Sequence, residues 1–371
     1  MKIFDLHADL ACAIEQHKSE TAVLRNHWAK DFEQGQIGYT AAASFFAGDE
    51  SWEEMVNTVN MVEKDLSDGG YQKIMNVEDL DRSYDETCFL MTIEGMCGIH
   101  DNVEEKITWL YEKGNRIGSL CWNDQNDLAT GNSGDPSRGL TEMGKVAVRK
   151  MNELHFIIDV SHANEKTFWD ILETSTQPII ATHSNAKRKC FVERNLTDQQ
   201  IRALASKDGI IGLNACSHFI DEDEAKQDAR HLAGHARYIA DLVGVKHVAC
   251  GFDFGAYYGA DADHDIYGPK QAQNFVKGLK EEGFSQQEIE DICYRNVIRF
   301  LKESLPDNPM KCEHVIPTAI GTLVSEGRCN VRMLSSTDKW FGVTYQEDKP
   351  EVVARIAEKK ASGEYPDVMW K

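Results

Sequence analysis

HFIIDVSHANEKTFWDILETSTQPIIATHSN, residues 155–185, holds the pattern that decides the fold. It opens on a short apolar run, HFIIDVSHA, passes through a helical pattern, EKTFWDILETS, and closes on a second apolar run, PIIATHSN. Apolar residues that run on without alternation mark a strand covered on both faces, and two such strands joined by a helix make a parallel βαβ unit. The same alternation extends outward in both directions. Upstream lie the strand-like runs KIFDLHA (2–8), YTAAASFFA (39–47), TCFLMTIEG (87–95) and RIGSLCWN (116–123). Downstream lie GIIGLNAC (209–216) and HVACGFDF (247–254). Helical patterns fill 51–70, 102–115 (stopping at Gly114), 140–154 and 165–175. Two capping boxes, Thr197 with Gln200 and Ser285 with Glu288, open further helices. Strand and helix thus alternate about eight times, which predicts an α/β fold, a (β/α)8 TIM barrel over 1–303. A doubly wound open sheet is the competitor, and the count of eight favours the barrel.

The chain of 371 residues sets 40 Lys and Arg against 61 Asp and Glu, a net charge of −21, and is 42% hydrophobic. That is a soluble globular composition. The acidic surplus excludes nucleic acid as a partner, and adhesion to an anionic membrane. No apolar run reaches the ~18 residues of a spanning helix. At the N-terminus, MKIFDLHADLACAIEQ, the residues Asp5, His7 and Asp9 break up what a secretory signal would need, so a cytoplasmic chain is expected. The ten cysteines form no CxxC pair. Cys88, Cys121, Cys216 and Cys250 lie in apolar runs, where a thiol is expected to behave as a small buried hydrophobe. Residues 304–371 differ: they carry ten acidic and nine basic residues and five of the eight prolines. They read as a C-terminal extension with little regular structure, then one helix around 350–362, packing on the barrel or on a partner subunit. A homodimer is expected.

In such barrels chemistry sits where the strands end. Those ends carry His7 and Asp9, Glu94, Asp159 to His162, Thr182 to Asn185, and Asp253. Residues two apart in a strand face the same way, so His7 and Asp9 can aim at one cation. Glu94 has two carboxylate oxygens, enough to bridge two cations, and His162 and His183 can complete a second site. HxD alone arises by chance; five such ends together point to a two-metal site. Imidazole with carboxylate suits zinc, with manganese or another first-row metal as alternatives. Two cations about 3.5–4 Å apart would hold a bridging hydroxide able to attack a carbonyl or phosphoryl centre. Asp253 suits a proton shuttle. Arg194 can pair with a substrate carboxylate, or stand as an exposed loop arginine. The other histidines, His264 among them, are read as surface or packing residues.

These residues carry a family resemblance. DLHADL, TIEG, GLTEMGKVAVRKMNELHFIIDVSHANEKTFWDIL, PIIATHSNAKRKCFVERNLTDQQI, HARYIADLVGVKHVACGFDF and GFSQQEIEDICYRNVIRFL, spanning roughly 3–303, resemble the membrane (renal-type) dipeptidases, peptidase family M19 of the amidohydrolase superfamily. The resemblance implies a metal-dependent hydrolase barrel holding two Zn2+, with His7, Asp9 and Glu94 on one and Glu94, His162 and His183 on the other. It implies Asp253 as acid and base, Arg194 as clamp for a dipeptide's C-terminal carboxylate, and hydrolysis of L-Xaa-L-Xaa or L-Xaa-D-Xaa. Two departures stand out. Where better-known members carry Thr-His-Asn, this chain has Cys121, Trp122 and Asn123, which makes Trp122 and Asn123 the candidate substrate contacts. An indole N–H donates one hydrogen bond but cannot be protonated. The family's DFDG reads Asp253-Phe254-Gly255-Ala256, so the loop after the last strand is remodelled. The alternatives are a related amidohydrolase acting on a lactam, an N-acyl amino acid or a phosphoester, and a binding protein with an impaired site.

Overall fold

Every expected strand forms in the computed structural model, which describes residues 1–82, 85–259, 264–306 and 349–366. They are β1 (Ile3–Ala8), β2 (Ile37–Phe45), β3 (Cys88–Glu94), β4 (Asn115–Ser119), β5 (Ile157–Asp159), β6 (Ile179–Ile180), β7 (Ile211–Leu213) and β8 (Val248–Cys250). All pairings are parallel, in the order β6-β5-β4-β3-β2-β1-β8-β7. A single bridge, Ala181 to Ile211, closes the ring between β6 and β7. Ala181 N–H donates to Ile210 O at 3.1 Å and Gly212 N–H to Ala181 O at 2.8 Å. The fold is a (β/α)8 barrel.

The expected runs for β5 to β8 extend well past the strands that form. The excess is loop that carries candidate site residues: His162, His183 and Asp253 follow their strands rather than ending them. Asp9 likewise stands one residue beyond β1, as the N-cap of the helix Leu10–Glu15. After β5 and β6 the Asp159 carboxylate takes the backbone N–H groups of Ser161 and Thr182, which stops the ladder there.

Two apolar clusters hold the barrel. The larger packs the strands against the surrounding helices. The smaller takes residues from every strand or its edge, including Leu6, Leu90, Ile117, Ile157, Ile180, Ile210 and Ala249. Val297, Phe300 and Leu301 of the helix Asn296–Ser304 complete it. Each Leu, Ile, Val and Phe among them contributes roughly 1.5–3 kcal/mol by leaving water. Alternation along the strand then fixes what lies two residues on: Glu94 stands four beyond Leu90, Asp159 two beyond Ile157, and Thr182 two beyond Ile180. Two glycines make room there. A Cβ on Gly212 would lie 2.0 Å from Thr182 O, and one on Gly251 only 1.7 Å from the same oxygen.

The expected helices are found, both capping boxes included. Gly114 follows the helix Val103–Glu112 with φ 103°, the conformation a helix stop requires. The helix expected to run on from Ser285 contains a π-turn at Asp291–Arg295. The helices Ala229–Val243 and Gln273–Glu281 add to those read from periodicity. By contacts the chain divides into two units, Met1–Cys312 and Glu313–Lys371. The described part of the second is centred on the helix Lys349–Ala361, close to the expected 350–362. The expected packing of the rest of the extension lies outside the described residues. Among the described residues no helix is long and apolar enough to cross a membrane.

Candidate metal centre and cavity

Glu94, the last residue of β3, stands at the centre of the candidate site, 3% exposed. Its Oε2 lies 3.3 Å from His7 Nε2, and its Oε1 lies 2.7 Å from His162 Nε2 and 3.4 Å from His183 Nε2. One carboxylate thus faces two groups of ligands. On the first side His7 Nε2 also lies 3.4 Å from Asp9 Oδ1, and the carboxylate of Asp253 approaches the same pair. On the second side His162 Nε2 and His183 Nε2 stand 3.0 Å apart. The rings of His7 and His183 stack at 3.6 Å. The structure therefore brings together the five residues expected as metal ligands, with Asp253, expected as a proton shuttle, beside them.

Supporting contacts fix which nitrogen of His162 and His183 is bare. Asn123 Oδ1 lies 2.9 Å from His162 Nδ1 and, being an acceptor, places the proton there. The Asp159 carboxylate accepts from Ser161 N at 3.0 Å, Ser161 Oγ at 2.6 Å, Thr182 N at 2.9 Å and Thr182 Oγ1 at 2.5 Å. With its own proton committed to Asp159, the Thr182 hydroxyl accepts from His183 Nδ1, 2.7 Å away. Both Nε2 lone pairs therefore point at each other and at Glu94, with no proton between them. His7 Nε2, Asp9 Oδ1 and Glu94 Oε2 are buried without any hydrogen-bond partner. Lone pairs that converge unpartnered in a buried pocket fit a cation, and N/O donors suit zinc and its neighbours.

Titration follows the same crowding. Burial opposes the charge on His7, but the Glu94 and Asp9 carboxylates hold its pKa well above the usual range. Burial, then Asp9's charge, pushes Glu94 up to about 8, while His7 holds Asp9 down to about 2 against burial. Burial keeps His162 and His183 well below the ordinary imidazole value, with the Arg194 and His7 charges adding to it. Asp253 is raised to about 6 by burial and by Asp9. Its φ of 54° is rare for a residue with a side chain, and Asn214 Nδ2 donates to its Oδ2 at 3.0 Å.

A cavity of about 360 Å³ opens onto Glu94, His162 and Asp253, walled by Trp122, Asn123, Ala215, Cys216, Ser217, Phe219, Gly255, Tyr258, His264 and Tyr267. Trp122 packs edge-on against Phe45 at 5.1 Å and stands 5.9 Å from the His162 ring. Three expectations change here. Cys216 is half-buried on the cavity wall rather than a core hydrophobe. His264 lines the mouth rather than an unrelated surface. Arg194 is neither exposed nor on the cavity wall: its Nη1 donates to Ser184 Oγ at 2.9 Å and its Nη2 to His183 O at 2.9 Å, and Nη2 reaches His162 Nε2 at 3.2 Å. Its Nε is buried and unpartnered.

Two further side chains support the site and carry no signal in the sequence. Tyr258 donates its hydroxyl to Asp9 Oδ2, which leaves Asp9 Oδ1 as the oxygen facing His7. Asp5 Oδ1 accepts from Phe252 N at 2.8 Å and His7 N at 3.3 Å, tying β1 to the loop after β8. Asp5 lies in MKIFDLHADL, where its carboxylate reads only as a break in the apolar run.

The chain has relatives among known proteins. A Klebsiella pneumoniae protein described as an uncharacterized protein in the pqqA 5' region is 32% identical over 247 residues, covering 64% of this chain and 90% of its own. The dipeptidase tcpJ of Claviceps purpurea is 30% identical over 166 residues, and the match spans 44% of this chain and only 38% of that enzyme. A solved metallo peptidase from Rhodobacter sphaeroides, liganded with a phosphinate mimic of L-Ala-D-Ala, superposes with a TM-score of 0.71 at 20% identity, over 82% of this chain and 99% of its own. At that identity the likeness speaks for the fold. The sequence model of the membrane dipeptidases matches residues 1–310, and on that match the chain belongs to the membrane dipeptidase family, peptidase family M19.

Proposed function

We propose that the protein is a two-metal dipeptidase that hydrolyses the peptide bond of L-Xaa-L-Xaa or L-Xaa-D-Xaa substrates, with zinc as its metal. The observation that carries this reading is the pair of bare Nε2 atoms of His162 and His183, 3.0 Å apart and facing Glu94. His7, Asp9 and Glu94 would hold one cation, and Glu94, His162 and His183 the other. Such a pair supplies Lewis acidity and a water whose pKa is lowered to near neutral. The chain's own residues do the rest. Asp253, with its pKa near 6, is ionised at neutral pH, takes a proton in the first half of the reaction and returns it to the leaving amine. Asn214 holds it in place, and Tyr258 fixes the rotation of Asp9. Trp122, Phe219 and Tyr267 wall the cavity with apolar surface that excludes water around the scissile bond. The eight described cysteines carry free thiols, which supports a reducing, cytoplasmic setting.

A second reading, an amidohydrolase acting on a lactam, an N-acyl amino acid or a phosphoester, is favoured by one observation. Arg194, the expected carboxylate clamp, has both Nη atoms engaged within the protein. A dipeptide panel on zinc-loaded protein, run beside the same dipeptides with blocked N- or C-termini, separates the two. The dipeptidase reading expects turnover of free dipeptides, rejection of the blocked ones and no turnover in Glu94→Ala. Turnover of blocked substrates alone would replace it with the second reading.

A further inference from the structure

Outside the cavity, three side chains converge at the surface between the helix Leu10–Glu15 and the π-turn Leu24–Trp28. His17 Nδ1 lies 3.2 Å from Glu20 Oε1, and His27 Nε2 lies 2.8 Å from Glu20 Oε2. The two rings stack at 3.9 Å and 22°. One ligand atom from each of the three residues falls within 4.8 Å of the others, and none of them belongs to the buried centre.

The backbone around them is fixed. Glu20 N–H donates to His17 O at 2.8 Å, closing a turn that sets the two side chains side by side. The buried Asp65 carboxylate accepts from Val23 N at 2.6 Å and Leu24 N at 3.0 Å, which anchors the start of the π-turn that presents His27. Arginine or lysine would serve better than histidine to neutralise a lone surface glutamate. Two imidazoles stacked face to face would repel as cations. As neutral rings, each can turn a lone pair toward the point that the carboxylate already faces. Ligands at zinc's ordinary bond lengths stand about 3.3 Å apart, close to the 3.2 Å between His17 Nδ1 and Glu20 Oε1, and all three ligand atoms fall within 4.8 Å of one another.

We infer that His17, Glu20 and His27 form an additional, solvent-open binding site for a divalent first-row cation of the zinc type. Water fills the remaining positions, as in sites with three protein ligands.

The test uses the full-length protein, stripped by chelation and dialysed against buffered free Zn2+, with bound metal counted per chain. The wild type should hold one equivalent more than the H17Q/H27Q double variant. Glu20→Gln, which preserves shape, should weaken that equivalent by at least the ~10-fold that loss of a supporting contact costs a metal site. It decides the matter should the double variant fail to fold by circular dichroism. Glu94→Ala should keep the surface equivalent while losing metal from the buried centre, so failure of this site and failure of the proposed activity read out separately. Equal metal counts and affinities in the wild type and in a folded His17/His27 or Glu20 variant would overturn the inference.

Discussion

Exchanging Asp159 for asparagine changes one atom and should reverse a proton relay two residues long. In the wild type the Thr182 hydroxyl donates to Asp159 Oδ2 and so must accept from His183 Nδ1, which leaves His183 Nε2 bare. In Asp159→Asn the atom facing Thr182 becomes an NH2 group that donates. Thr182 then turns its own proton toward His183 Nδ1, and the imidazole shifts its hydrogen to Nε2, into the space shared with His162 and Glu94. The remaining oxygen can still accept from Ser161 N, Ser161 Oγ and Thr182 N, so the fold should lose no more than about 1–3 kcal/mol. Metal affinity should fall ~10–100-fold, about 1.4–2.7 kcal/mol, the range for a broken supporting contact. Competition with a chromophoric chelator for Zn2+ measures this directly, with chemical denaturation as the control for folding. Thr182→Val removes the relay without forcing the tautomer and should cost less. A folded Asp159→Asn protein with wild-type metal affinity would refute the assigned tautomer, and with it the picture of two bare nitrogens.

Three further expectations follow from the same structure. Asp253→Asn should lower kcat by ~10²–10⁴ with little change in metal content, as measured by steady-state kinetics and metal analysis; an equal fall in bound metal would make Asp253 a ligand instead. Gly251→Ala sets a Cβ 1.7 Å from Thr182 O and should destabilise the barrel by about 1–3 kcal/mol or more in urea unfolding, beside a Gly234→Ala control whose Cβ would meet nothing closer than Lys189 Nζ at 3.7 Å. His235 accepts from Ala186 N at 3.1 Å and donates to Ile220 O at 2.7 Å, and burial pushes its pKa from 6.5 to about 4. Its contribution is therefore fully present above pH 6.5 and is lost as pH falls towards 4, by up to about 3 kcal/mol. Unfolding free energies of wild type and His235→Asn measured across that window should converge at the acid end; parallel curves would count against it.

What was legible in the sequence was whatever depends on pattern or on residue type. Runs of apolar residues marked all eight strands, and the capping boxes at Thr197 and Ser285 stand where Ser, Thr, Glu and Gln spacing puts them. His7, Asp9, Glu94, His162 and His183 stood out because few other reasons place such groups together at strand ends. Geometry that depends on a neighbour was not legible. Periodicity could not show that β6 is only two residues long, because Ile179-Ile180 runs straight into a polar turn held by Asp159. Nothing in FVERN tells whether Arg194 points to the cavity or to Ser184. Asn123 read as a substrate contact, and although it does line the cavity its oxygen is committed to His162. Tyr258 reaches Asp9 only because the chain after Asp253 turns back over the barrel mouth.

The contact between Asp5 and the amide of Phe252 bridges 247 positions. A ribosome delivers β1 first and the residues that satisfy Asp5 only after most of the barrel has been made. Until then β1 has an unpaired edge, and its acid, which burial in the finished barrel pushes up to about 7, has no amide to receive. Such long-range closure is slow, because the loop must be ordered before its contacts repay the loss of freedom. His7 and Asp253 meet only when that ring shuts. A chain halted before Phe252 would therefore carry every residue of the candidate metal set but lack Asp253 and the contact that closes the ring, and metal uptake would report closure of the barrel.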